Sequence, residues 1–308
     1  MSNFLVTGAA GFIGSSLAQN LIEEANRVVT IDNLSTGFRD AIPSGVIFYE
    51  GDCYDDSVIK KLESYKFDAI FHIAGQSSGE ISFDDPVYDL KSNTQSTLQL
   101  IKLALKIECK KFIYASTMSV YEDQPKRPIS EKDNLKPKSL YAVGKLASEN
   151  YMRIFQKYGL QTTSLRLFNV YGEGQNLINL RQGMVSIYLA QALKNKHILV
   201  KGGSERYRDF VYIEDVVDAF MCVYNRSGYN NKIYNVSTGK KTTVDSLIKK
   251  IINILNEDIS VEYHGSTPGD QFGVYGDFSK IKNELGWSPK VGLDEGLERM
   301  IKWAKDQI

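Results

Sequence analysis

The amino-acid sequence predicts an α/β fold: a doubly wound parallel sheet with a smaller C-terminal α/β lobe over its ligand crevice. Three observations carry this. A short apolar run at residues 4–7 breaks into glycines at 8, 11 and 14 and then into a helical pattern. Strand-length apolar runs alternate with amphipathic segments as far as residue 167. Beyond about residue 170 the alternation loosens, yet no Pro- or Ser-rich linker separates the halves. Residues 1–170 are therefore expected to form the core, and residues 171–308 mainly a lobe packed on it rather than an independent domain.

The elements follow in order. Residues 4–7 are short and apolar enough for a buried strand, and after the glycines Leu17, Leu21 and Ile22 recur at helical spacing. Residues 27–31 form a second strand ending in Asp32-Asn33. Residues 46–49 form a third, running into Gly51-Asp52 and a helix marked by Val58, Ile59 and Leu62. The fourth, residues 68–72, continues into Ile73-Ala74-Gly75. Leu98, Ile101 and Leu105 predict a long helix over 93–108, opened by Asn93. A fifth strand at 111–115, a helix at 141–158 and a sixth strand at 162–167 complete the core. The second half offers helical segments at 181–194, 214–224, 243–256 and 293–306, with short strands at 197–200 and 232–236 between them.

Composition narrows the class. Hydrophobic content of 43% and charged content of 24% are ordinary for a globular protein, and Lys+Arg equals Asp+Glu at 37 each. That balance gives no sign of nucleic acid or an anionic membrane as partner. Cys53, Cys109 and Cys222 are odd in number and lack metal-ligand spacing, so reduced thiols and no metal site are expected. No apolar run approaches a membrane span and no export signal is evident, which points to the cytoplasm.

Between a strand and a helix, missing side chains at Gly8, Gly11 and Gly14 let the backbone approach a pyrophosphate. The helix N-terminus adds unpaired N–H groups and a partial positive charge. Asp32, ending the next strand, is placed to accept hydrogen bonds from an adenosine ribose and to repel a 2′-phosphate. The pattern therefore selects a dinucleotide, NAD over NADP; Arg39, seven residues on in an expected loop, would soften that preference.

Tyr141 and Lys145 are four residues apart and share a helix face. An ammonium near a phenol favours the phenolate, but bringing its pKa from about 10 to neutrality needs roughly 4 kcal/mol. A lone lysine does not supply that; a lysine plus a second fixed positive charge, such as an oxidised nicotinamide, does. Tyr-x-x-x-Lys also arises by chance in many helices, so the pair takes its meaning from the glycines upstream.

The spacing Thr7-Gly8-x-x-Gly11-x-x-Gly14 resembles the extended short-chain dehydrogenase/reductases. Nearly end to end, the chain is similar to the NAD-dependent nucleotide-sugar epimerase/dehydratase family. The similarity continues through Gly51-Asp52, His72-Ile-Ala-Gly75, Asn93, Ser116-Thr117, Tyr141-x-x-x-Lys145 and Arg166-Leu-Phe-Asn169. It extends through Tyr207-Arg208-Asp209, Asn235 and Pro268-Gly269-Asp270. The resemblance implies a Rossmann core holding NAD. The glycines with Phe12 and Ile13 would hold the pyrophosphate, Asp32, Asn33 and Ser35 the ribose region, and Asp52 and Cys53 would lie along the adenine. Ala74 and Gly75 would pass beside the nicotinamide ribose, with Asn93, Tyr141 and Lys145 completing the cofactor set. His72 reads as a satisfied structural histidine.

The same resemblance makes Tyr141 the base in hydride transfer, Lys145 its electrostatic support, and Thr117 the hydroxyl that hydrogen-bonds the reacting carbinol. Family dehydratases carry Asp-Glu directly after this Thr, and the decarboxylases usually have Glu at the second position. Here Met118 and Ser119 stand there, and neither exchanges those protons. What remains is oxidation at one carbon, followed by return of the hydride to the other face or release of the ketone. The match around Thr117, continuing into residues 123–126, is closest to the UDP-glucose 4-epimerases. A nucleotide-sugar 4-epimerase is therefore expected, with a 4-dehydrogenase as the alternative. A non-catalytic NAD-binding module is disfavoured by the retained Tyr/Lys pair.

The substrate diphosphate would be anchored by Arg208 with Asn169, Asn179 and Arg181, and Ser77, Ser78 and Asp270 complete the expected substrate set. Arg208-Asp209 could instead be a surface ion pair. Three positions and one segment depart from the epimerase pattern. Thr267 stands where many members carry a diphosphate-gripping Arg, Val274 where a Tyr narrows the pocket, Glu122 where Gly is usual, and residues 76–79 differ as well. These leave the sugar and the base open. The resemblance also implies a homodimer through a four-helix bundle of the helices near Asn93 and Tyr141, with Leu98, Leu105 and Ile154 as exposed apolar positions.

Overall fold

At the centre of the computed structural model, which describes residues 1–123, 127–226 and 231–307, is a seven-stranded parallel sheet. The strands are β1 (Asn3–Thr7), β2 (Arg27–Asp32), β3 (Ile47–Glu50), β4 (Ala69–His72), β5 (Lys111–Thr117), β6 (Gln161–Leu167) and β7 (Asn169–Tyr171). They continue with β8 (His197–Lys201), β9 (Tyr207–Arg208), β10 (Phe210–Tyr212), β11 (Lys232–Val236), β12 (Thr242–Thr243) and β13 (Ser260–His264). Helices α1 (Phe12–Glu23), α2 (Asp56–Leu62), α3 (Ile81–Asp84), α4 (Pro86–Leu90), α5 (Ser96–Lys106) and α6 (Leu140–Phe155) belong to the first half. The second half contributes α7 (Met184–Asn195), α8 (Ile213–Asn225), α9 (Val244–Leu255), α10 (Ser279–Leu285) and α11 (Leu293–Lys305).

Strand order is β11-β6-β5-β4-β1-β2-β3, so the chain starts mid-sheet, pairing β1 with β2 on one side and β4 on the other. The order reverses there, and a crevice opens at the carboxyl ends of those strands. Both sheet faces are covered. Phe4 and Val6 join a core that includes α1, α8 and the C-terminal helices, while Leu5 joins a second core with α2 and α5. A strand buried on both faces has to be apolar throughout, which is why β1 reads as a run and not an alternation.

Two elements differ from expectation. The strand at 232–236, read with the C-terminal lobe, is the edge of the central sheet, in parallel register with β6 from Lys232↔Thr163 to Val236↔Leu167. The second half therefore contributes to the sheet as well as to the lobe. The helix expected from Asn93 begins earlier. Asp85 caps α4 by accepting the Tyr88 N–H (2.9 Å), Pro86 fills the first turn, and a π turn at Lys91–Gln95 joins α4 to α5. Asn93 lies inside this wide turn, a geometry that recurs at functional sites.

Helix α6 starts at Ser139, whose Oγ accepts the Ala142 N–H (3.2 Å), and ends in a 3-10 turn closed by Gly159. No helix among the described residues is long and apolar enough to cross a membrane.

Candidate active site

The loops following β1, β2, β3 and β4 close around one cleft. Gly8, Gly11, Phe12, Ile13 and Gly14 line it together with Asp32, Asn33, Ser35, Asp52, Cys53, Ala74 and Gly75. Helix α1 packs so tightly on the loop that a Cβ at Gly14 would lie 2.1 Å from the Gly8 carbonyl oxygen. Asp32 ties the loop to β2: its carboxylate accepts the Ala10 N–H (3.0 Å) and the Leu34 N–H (2.8 Å). Burial pushes this carboxyl up, and the two amides pull it back. Asn33 donates to Asp52 (2.6 Å) and to the Tyr88 hydroxyl (3.2 Å) at the end of the cleft beyond β2. The Cys53 thiol is pushed up by burial and by Asp32 and Asp52, so this residue offers its backbone and not a thiolate. Arg39 pairs with Glu50 on the surface and does not line the cleft.

Asn93 lies beneath this cleft. Its Nδ2 donates to the Gln76 carbonyl (2.9 Å) and to Asp89 (3.1 Å), while its buried Oδ1 has no partner. A Cβ at Gly75 would meet that oxygen at 2.5 Å, so the strip beside it must be bare backbone. Bare backbone at the start of α1 and beside Ala74, with the Asp32 carboxylate at the end of β2, fits NAD.

Thr117 ends β5, and its hydroxyl accepts the Ser119 N–H (3.2 Å) and hydrogen-bonds the Tyr141 phenol. Burial pushes that phenol up to about 12, against the pull of Thr117, with Asp89 adding to the rise. One turn on, Lys145 is buried and donates to the Ala115 carbonyl (3.0 Å), its ammonium 5.8 Å from the Tyr141 ring centre. Burial lowers Lys145 to about 8, and Asp89 opposes the fall. The lysine by itself thus leaves the phenol protonated, as the charge argument required.

Asp89 was not legible in the sequence. It is buried, and its Oδ1 accepts both Gln76 Nε2 (2.9 Å) and Asn93 Nδ2 (3.1 Å). The one trace is its spacing, a helical turn before Asn93.

A second cavity adjoins the first. Ser77 and Gln182 line both and are joined by a Gln182 Nε2–Ser77 Oγ hydrogen bond (2.5 Å). Ser78, Asn169, Arg181, Arg208 and Asp270 line the second cavity, whereas Asn179 faces the first. Arg208 is buried and does not pair with Asp209. It donates to the Tyr207 carbonyl (2.7 Å) and the Gln271 carbonyl (2.8 Å) and pairs with Asp270. Asp209 accepts the N–H groups of Thr238 (2.8 Å), Gly239 (2.9 Å) and Gly276 (3.1 Å). The surface-pair alternative is thereby removed. Arg181 is held by Asp84 (2.7 Å) and Glu80 (3.4 Å). Val274 does not line the cavity: it is fully buried against Met118, Tyr121, Ile129 and Phe168, and the wall there is residues 267–271. Of the segment 123–126, residues 124–126 lie outside the described residues.

His72 is wholly buried. Thr7 Oγ1 accepts the Ile73 and Ala74 N–H groups (both 3.1 Å), which turns its own proton toward His72 Nδ1 (2.9 Å); Nε2 faces Thr97 Oγ1 (3.1 Å). Burial, then the Lys145 charge, hold its pKa well below 6.5. As pH falls below about 6.5 the unfolded imidazole binds a proton that the folded one refuses, so stability drops with acid, by up to about 1.4 kcal/mol per pH unit. Urea midpoints measured between pH 7 and 5 should fall more steeply for the native chain than for His72→Gln. Equal slopes would remove this assignment.

A Rossmann sheet, a glycine-rich NAD cleft and a Thr–Tyr–Lys group at the carboxyl end of β5 define a nicotinamide-dependent enzyme. The family model of the NAD dependent epimerase/dehydratase family matches residues 4–237, and the chain belongs to that family. It is 34% identical to a putative UDP-glucose 4-epimerase of Methanocaldococcus jannaschii, over 98% of each chain. Among solved structures, the UDP-glucose 4-epimerase of Thermotoga maritima with UDP-glucose superposes at TM-score 0.95, with 34% identity and 99% of each chain covered. The Thermus thermophilus UDP-glucose 4-epimerase in complex with NAD gives 0.92 at 30% identity, over 99% of this chain and 100% of that one. The cofactor is NAD. The family's own description spans two reactions, so membership leaves the reaction to be argued from the site.

Proposed function

We propose that the chain is a nucleotide-sugar 4-epimerase. One observation carries this reading: Thr117, Tyr141 and Lys145 converge, while Met118 and Ser119 occupy the positions where elimination needs an acid and a base. Bound NAD supplies a hydride acceptor that can return what it takes. Tyr141 removes the C4 hydroxyl proton during oxidation and restores it during reduction. Thr117 orients that hydroxyl, and the buried Lys145 charge favours the phenolate. Arg208, with Asn169, holds the diphosphate while the 4-keto sugar turns, and Ser77 and Ser78 lie where the sugar would pass. Met118 and Ser119 line the cavity without titrating, so the ketone is neither dehydrated nor decarboxylated.

Incubation with a panel of UDP- and GDP-sugars, followed by NMR, tests the reading. The C4 stereoisomer should appear at constant cofactor redox state. Accumulating ketone with stoichiometric NADH would overturn it in favour of the 4-dehydrogenase.

The assembly we infer is a homodimer. Val87 and Leu90 of α4 and Leu140, Val143 and Ile154 of α6 are exposed on neighbouring helices, while Leu98 and Leu105 are partly buried within the protomer. Light scattering should report twice the 34.7 kDa chain mass, and Val143→Glu should lower it.

A further inference from the structure

We propose that Arg206 is a second guanidinium for the substrate diphosphate, doing the work for which Thr267 lacks the charge. The inference rests on the nucleotide-sugar reading above and goes beyond it by assigning a residue that the sequence motifs left out.

Arg206 immediately precedes β9, and residues two apart on an extended segment point the same way. Arg206 and Arg208 accordingly reach one carboxylate, Arg206 Nη1 pairing with Asp270 Oδ2 and Arg208 Nη2 with Oδ1. Both line the second cavity. Arg206 is held there by the backbone: its Nη2 donates to the Lys201 carbonyl and its Nε to the Gly203 carbonyl (3.4 Å). A guanidinium whose position is fixed before binding loses little freedom when an anion arrives. Its side chain keeps 12% of its surface exposed, against 3% for Arg208, so it is the more accessible of the two.

The charge of the wall agrees. Arg181, Lys201, Arg206 and Arg208 face Glu80 and Asp270 around the cavity, four positive groups against two negative. Asp84, just outside the lining, pairs with Arg181 and leaves a surplus of one positive charge facing an anionic diphosphate. Thr267, in the same wall, adds a hydroxyl and no charge. Without Arg206 that surplus would vanish, leaving Asp270 to neutralise Arg208 alone. Planar guanidinium forks suit phosphate oxygens, and these two already share one anionic partner.

The test uses the purified protein with its NAD, and calorimetric titration with UDP, GDP and uridine. Arg206→Gln should weaken binding of the preferred diphosphate by ~10- to 100-fold, raise KM for the nucleotide sugar in step, leave kcat within about threefold, and leave nucleoside affinity unchanged. Arg206→Lys should fall between, and adding Thr267→Arg to Arg206→Gln should restore affinity. Unchanged diphosphate affinity in Arg206→Gln, alongside a loss in Arg208→Gln, would overturn this inference and keep the nucleotide-sugar reading. Equal weakening for diphosphate and nucleoside without rescue by Thr267→Arg would make Arg206 a prop for Asp270 and overturn it also. A native protein that binds neither UDP nor GDP would overturn the nucleotide-sugar reading itself.

Discussion

Tyr141→Phe is expected to lower kcat by about 10²- to 10⁴-fold while leaving fold and NAD content intact, because in the proposed reaction it removes the group that moves the carbinol proton. The ring itself can stay where it is. Phe retains the shape, and Thr117 Oγ1 keeps its bond from the Ser119 N–H (3.2 Å). Lys145 keeps its bond to the Ala115 carbonyl (3.0 Å), and the substitution takes from Thr117 only its bond to the phenol. The loss should therefore fall on kcat and not on KM, since the hydroxyl acts in proton transfer and not in holding the diphosphate. Single-turnover conversion of the nucleotide sugar, followed by NMR and compared with the amount of retained NAD, measures it. Turnover within a few-fold of the native rate would transfer the base's role to another group. Because burial sets the phenol at about 12 and the lysine at about 8, neither residue is tuned by the other alone. In the proposed reaction the phenolate would be drawn out by positive charge arriving in the cleft, so the base would be active only in the loaded enzyme.

Much of this was readable in the residues because the physics there is local. A parallel strand buried on both faces must be apolar, and a glycine loop at a strand–helix junction has few other uses, so six strands and the NAD cleft could be placed in order. The pieces that escaped depend on distant partners. Lys232–Val236 is a five-residue run whose pairing with β6 is set by the crossover through α8, which no local pattern encodes. Asn93 was placed at a helix start, but Asp85 and Pro86 start the helix earlier and a π turn accommodates the extra length. Asp89 looks like any polar helix residue until Gln76 and Asn93 are seen to enclose it. Arg206 had a usable signal in its two-residue spacing from Arg208, overlooked because it lies outside the Tyr207-Arg208-Asp209 motif. Val274 differs for the opposite reason: its place in the sequence, just beyond Pro268-Gly269-Asp270, points to the cavity, and packing turns it inward.

Glu149→Leu is expected to destabilise the fold by about 3–5 kcal/mol, a larger cost than a leucine-sized change in shape accounts for. Glu149 lies one turn beyond Lys145 and two beyond Tyr141, on the same face of α6. Its carboxylate receives Arg166 Nε (2.9 Å) and Nη2 (2.6 Å) from β6, and Ser116 Oγ (2.6 Å) from β5. Both side chains of the pair are almost wholly buried, and Arg166 also lies 4.8 Å from the Tyr121 ring centre. Removing the carboxylate leaves a guanidinium in a low-dielectric interior with no counter-charge, and that stranded charge is the source of the loss. Arg166→Met combined with Glu149→Leu removes both charges and should recover most of the stability, so urea unfolding of both singles and the double separates the pair's own worth from the cost of stranding a charge. A single-variant loss below about 1 kcal/mol would mean that water reaches Arg166. If the double variant refolds fully yet turns over slowly, the ion pair is what sets the height of α6 over β5. Thr117 and Tyr141 ride on those two elements, and a shift of about 1 Å between them is enough to cost roughly 100-fold in rate.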